Sequence, residues 1–230
     1  FTIALLLAHG LTLRAFDHRP PEFVGLHRSA ARPGVLGFGF ALGAAPIAAA
    51  SALLLLAGFL DLVDAPDGSW WMATARITLL LAPAALYEEL FARGYVFATL
   101  RDWLGPKPAV ALTSIGFGVL HVPNPGSNPL PIVVVTLAGV YLATVLLATG
   151  SLYAAWMAHL AWNWIMAAAL HVSVSGLPLA RPDYQVVDDG PDWLTGGAWG
   201  PEGGLAAAAG MLAALAYLYR RHSRRNHEQR

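Results

Sequence analysis

The chain has 230 residues, 57% of them hydrophobic and 12% charged, and its 14 basic and 14 acidic side chains leave a formal net charge of zero. A soluble domain carries about a quarter charged residues, so an ordinary water-soluble protein is excluded, and the lack of a basic excess speaks against a nucleic-acid partner. Cysteine is absent, which removes disulfides, thiol nucleophiles and cysteine-held metals.

A membrane-crossing helix needs about 20 mostly apolar residues. Phe1 already lies inside an apolar stretch without a charged leader, and the chain reads as a fragment whose start lies upstream. Apolar segments at 1–14, 34–60, 72–101, 108–122, 130–149, 151–172 and 203–220 predict an all-α fold, a polytopic transmembrane bundle of about seven helices with room for one more upstream. A single membrane domain, 1–230, with a motif-bearing core at about 72–172, is the simplest organisation. The segment at 108–122 is short, and Pro123, Pro125, Gly126 and Pro129 close it, so it is expected to end in a protein-lined cavity. Trp156, Trp162 and Trp164 read as facing lipid or the interface, and His171 as an interface residue.

Loop charges test these spans independently. Arg14, Arg19, Arg28 and Arg32 fall in the first loop, Arg101 and Lys107 in the third, and Arg220, Arg221, Arg224, Arg225 and Arg230 in the tail. Asp61, Asp64 and Asp67 occupy the second loop, while Asp183, Asp188, Asp189, Asp192 and Glu202 outweigh Arg181 in the long loop at 173–202. The signs alternate, which puts a multi-pass protein in the cell membrane with its C-terminus in the cytoplasm. The long loop, with Trp193 and Trp199, reads as solvated.

Within these apolar segments stand three polar constellations: Glu88-Glu89 with Arg93, Phe117 with His121, and His159 with Asn163. Ionisable groups at mid-bilayer are costly unless paired or wetted. Glu89 and Arg93 are four residues apart and can pair on one helical face; Glu88, about 100° around the helix, is left as a free carboxylate able to serve as a general base. Counted from the assigned cytoplasmic ends at Arg101, Lys107 and Ser151, Glu88, His121 and His159 lie about 20, 21 and 12 Å deep. Three helices thus deliver polar groups to one layer. Each pair taken singly has a structural reading, as an interhelical clamp, a helix-end cap or hydrogen-bonding glue between helices.

Glu88-Glu89-Leu90-Phe91-Ala92-Arg93, Phe117-Gly118-Val119-Leu120-His121 and His159-Leu160-Ala161-Trp162-Asn163 resemble, in order and residue type, the three motifs of the CAAX protease and bacteriocin-processing family (CPBP, Abi) of intramembrane proteases. The resemblance spans about 80 residues, 86–165. One departure is Ala92, where members often carry an aromatic residue, a change expected to loosen packing behind the motif. The resemblance implies an endopeptidase in which Glu88 takes a proton from water, His121 shares that water and protonates the leaving amine, and His159 and Asn163 hold the oxyanion. Glu89 and Arg93 would support Glu88, and Phe117 would line the cavity. No Ser–His or Cys–His arrangement offers a nucleophile.

The expected mechanism uses no cofactor; the alternative is a divalent metal such as zinc on Glu88, His121 and His159. The expected partners are a protein or peptide substrate and membrane lipid. Two other functions remain open on sequence: a proton-coupled transporter using the same groups as a relay, and a non-catalytic membrane protein of the bacteriocin-immunity type. Against the transporter, no inverted repeat is visible.

Overall fold

The computed structural model describes residues 1–64, 69–179 and 184–228, with 225–228 described by backbone alone. Asp67, Arg181, Asp183 and Arg230 of the loop-charge pattern lie outside the described residues, as does the side chain of Arg225. The fold is mostly helical. In chain order it runs α1 (Thr2–Leu11), α2 (Pro33–Leu56), β1 (Leu60–Asp64), α3 (Trp70–Arg93), α4 (Tyr95–Leu104), α5 (Pro106–Leu120), α6 (Pro129–Thr149), α7 (Leu152–Trp164), β2 (Tyr184–Asp188), α8 (Asp192–Thr195) and α9 (Leu205–Glu228). Two of these, α2 and α6, are long and apolar enough to cross a membrane.

Local chemistry sets the boundaries. Pro33, Pro106 and Pro129 open α2, α5 and α6, where the missing amide hydrogen is harmless. Gly150, left-handed at φ 65°, ends α6, and the Ser151 hydroxyl then accepts the Ala154 amide to start α7. The α5 helix has 15 residues, about 22 Å of rise, and stops short of a full span as its prolines require.

Two expectations are corrected here. The apolar stretch 72–101 is two helices: at Gly94 the backbone leaves helical geometry (φ −81°, ψ −128°). His9 of α1 makes the break. Its Nε2 accepts the Tyr95 amide at 3.0 Å, and a side chain at Gly94 would meet that ring atom at 2.1 Å. The helical count from Arg101 to Glu88 along one straight helix therefore does not hold; Glu88 lies five residues, about 8 Å, from the end of α3. The fold is also not purely helical. Short runs with β-branched residues in the second and long loops pair as an antiparallel ribbon, from Leu60 opposite Asp188 to Asp64 opposite Tyr184.

These pairings agree with the alternation of loop charge. The two acidic loops meet in the ribbon, while at the other end Arg19 pairs with Asp102 at 2.8 Å and the Leu152 amide bonds the Gly25 carbonyl. The Arg221 guanidinium lies over the Phe38 ring at this basic end. On the flanks, Leu53, Leu56, Leu79, Ile115, Val119, Val133 and Leu212 are all exposed.

The packing that fixes the site is between α2 and α7. Gly39 and Gly43, one turn apart, press against the backbone of Ala154 and Ala158; a methyl group at Gly43 would stand 1.9 Å from the Ala158 carbonyl oxygen. Such close backbone approach is how small residues hold helices together in lipid. Because Ala158 precedes His159, α2 sets the position of a motif histidine. Gly43→Ala is expected to destabilise the fold by about 1–3 kcal/mol through overpacking, seen as a lower unfolding midpoint in detergent.

Candidate active site

Side chains from α3, α5 and α7 meet at one point. Glu89 and Arg93 are wholly buried and pair at 2.8 Å, and the second guanidinium nitrogen donates to the Gly139 carbonyl of α6 at 3.2 Å. Glu89 Oε1 also lies 2.8 Å from His159 Nδ1, so the side chain held by the Glu89–Arg93 pair is His159. The Phe117 ring fills the space between: Arg93 lies 4.2 Å above its centroid, and the His121 and His159 rings are 4.7 and 6.1 Å away.

Glu88 faces the other side. Its Oε2 is 3.8 Å from His159 Nε2 and 4.0 Å from His121 Nε2. This oxygen is buried and, among the described residues, accepts no direct hydrogen bond, although the side chain as a whole is 36% exposed.

Hydrogen-bond partners assign the proton on each ring. His121 Nδ1 lies 2.8 Å from the Phe117 carbonyl oxygen, which only accepts, so Nδ1 carries the hydrogen and the neutral ring turns its Nε2 lone pair toward Glu88. His159 follows the same logic with the Glu89 carboxylate as acceptor. Its Nε2 bears a hydrogen only when the ring is an imidazolium. His159 therefore donates to an oxyanion in that doubly protonated form alone.

Two hollows meet here. An inner cavity of about 30 Å³ is lined by His121, His159, Asn163, Trp162, Ser175 and Glu202 among others, room for a water molecule or two. A larger groove of about 290 Å³ runs past Glu88 between Tyr87, Phe91, Leu120 and Leu177. Phe117 and His121 line both. The three side chains of the zinc alternative, Glu88, His121 and His159, face one another at 3.8 and 4.0 Å; among the described residues no group of three His, Asp or Glu side chains has the arrangement of a metal site.

The structure thus brings Glu88, Glu89, Arg93, Phe117, His121 and His159 together, with Asn163 on the wall of the inner cavity. Residues 68–165 match the family model described as Rce1-like, type II CAAX prenyl endopeptidase Rce1-like. The CAAX protease resemblance holds over this segment. The match supports an endopeptidase of the CAAX type in general. No curated protein and no solved structure matches the chain.

Several residues that shape the site carried no signal in the sequence. Trp162 points inward, not to lipid, and its Nε1 donates to Glu202 at 3.0 Å; Trp156 and Trp164 likewise bond Ala82 and Thr78 of α3. His171 is buried, its ring 4.4 Å from that of Tyr184. The long loop is not simply solvated. Trp199 is 1% exposed and forms one apolar cluster with Ala92, Phe117 and Val135. Behind the motif, the small side chain of Ala92 thus shares its cluster with an indole from the loop.

Proposed function

We propose that the chain is a multi-pass intramembrane endopeptidase that hydrolyses a peptide bond of a membrane-associated protein or peptide. One observation carries the reading: Glu88 Oε2 lies between two imidazole Nε2 atoms at 3.8 and 4.0 Å. These separations exceed a direct hydrogen bond and suit groups that share one water. Glu88 takes a proton from that water as it attacks the carbonyl; the proton passes from Glu88 to the Nε2 lone pair of His121 and from there to the leaving amine as the C–N bond breaks, while the His159 imidazolium with Asn163 holds the oxyanion until the carbonyl re-forms. Glu89 and Arg93 keep His159 oriented. Exposed apolar flanks and the alternating loop charge support placement in the cell membrane with a cytoplasmic C-terminus.

The apolar groove beside Glu88 favours substrates with apolar side chains next to the cleaved bond. No metal enters the mechanism. The test is cleavage in ¹⁸O-water by purified protein: one labelled oxygen enters the new carboxyl terminus in a single turnover, and prior dialysis against a chelator leaves the rate unchanged. Loss of activity on chelation, restored by zinc, would overturn the metal-free mechanism; a trapped covalent acyl-enzyme would overturn direct attack by water. Asn163→Ala is expected to lower kcat by about 10²–10³ with little change in KM, the effect of removing one oxyanion donor.

A further inference from the structure

Outside the three motifs, one more carboxylate is buried on the inner cavity. Glu202 sits in the turn before α9, and its Oε1 accepts both the Ser175 amide at 2.6 Å and the Ser175 hydroxyl at 2.8 Å, while Oε2 accepts the Trp162 indole at 3.0 Å. Three donors converge on two oxygens. A carboxylate satisfies them; a glutamine has a single acceptor oxygen and would turn its NH2 toward a donor.

Both neighbours of Glu202 lead to motif residues. Trp162 lies on α7 between His159 and Asn163. The Ser175 carbonyl accepts the Asn124 side-chain amide at 2.9 Å, and the Asn124 backbone amide closes the turn on the His121 carbonyl at 3.1 Å. Ser175 itself is held at φ +50°, a left-handed conformation that a residue with a side chain adopts only when its surroundings impose it. The run Asn124, Ser175, Glu202, Trp162 is therefore a continuous hydrogen-bonded link between the two histidine-bearing elements, through a part of the site that Glu88 does not line.

We propose that Glu202 is a positioning residue of the hydrolytic centre, fixing the spacing between the His121 turn and the His159–Asn163 face of α7. The inference rests on the hydrolytic reading above. Glu202 acts through Trp162 and Ser175 and touches no reacting atom. A shift of about an ångström in a catalytic group lowers turnover by up to 10², while the groove, which the link reaches only at Asn124 and His121, keeps its Tyr87, Phe91, Leu120 and Leu177 walls.

The test uses the full chain in lipid nanodiscs and a quenched fluorogenic peptide selected from a library by cleavage with the parent protein. Glu202→Gln and Trp162→Phe are each expected to lower kcat by about tenfold or more with KM within about twofold, and the double variant should be no slower than the slower single one, because both cut the same link. Ser175→Ala, which keeps the backbone bonds, should show a few-fold loss of kcat. An independent readout is exchange of the Trp162 indole hydrogen with water, slow in the parent and fast in Glu202→Gln. Parental kcat in Glu202→Gln or in Ser175→Ala, or losses that multiply independently in the double variant, would overturn the inference and leave the hydrolytic reading standing. Parental cleavage by Glu88→Ala would overturn the hydrolytic reading and this one with it.

Discussion

Glu88→Gln is expected to lower kcat by about 10²–10⁴, the range that removal of a general base produces, while peptide binding and the unfolding midpoint stay near those of the parent. Glutamine keeps the size and one acceptor oxygen of the side chain but cannot take a proton from water. Glu88 stands apart from the Glu89–Arg93 pair and is partly exposed to the groove, so its replacement leaves that buried ion pair intact. His121→Ala should approach the same loss, since it removes the second partner of the shared water. Steady-state cleavage of a fluorogenic peptide measures both, and a Glu88→Gln protein with parental kcat would refute the role.

The second large effect is on stability. Arg93→Ala leaves the Glu89 carboxylate fully buried with only the His159 ring nitrogen against it, and breaking a buried ion pair in this way costs about 3–5 kcal/mol. Lysine does not restore the site. The guanidinium uses one nitrogen on Glu89 and another on the Gly139 carbonyl while lying on the Phe117 ring, and an ammonium lacks both the fork and the plane. The double variant Glu89→Leu with Arg93→Met should regain most of the stability, because two apolar side chains replace two buried charges. It should stay inactive, because His159 has then lost the acceptor on Nδ1. Unfolding in graded denaturant, read beside turnover of the same samples, separates the two effects; a double variant as unstable as Arg93→Ala would show that the pair contributes more than mutual neutralisation.

The motif residues were legible because their chemistry conflicts with their surroundings and their spacing matches a helical turn. Glu89 and Arg93, four apart, pair as that spacing predicts, and the leftover Glu88 faces the two rings. What the sequence could not convey came from distant partners. The break at Gly94 is braced by His9, 85 positions earlier, and the apolar pattern runs through it unmarked, so a count along one long helix from Arg101 to Glu88 does not apply. Glu202 sits among glycines and a proline, where no periodicity separates a buried acid from a solvated one. Trp162 alternates with lipid-like neighbours on a helix apolar nearly all round, so its inward direction depended on which face α2 and α9 would cover. The ribbon of β1 and β2 joins segments more than a hundred residues apart, and each alone is too short to stand out.

The contact of Gly39 and Gly43 with the main chain of α7 has a kinetic meaning. A rod gripped at two points one turn apart can neither slide nor roll without losing both grips at once, so α7 is the stationary rail of the molecule. The face of α7 that carries His159 and Asn163 is therefore held in place before anything binds beside it.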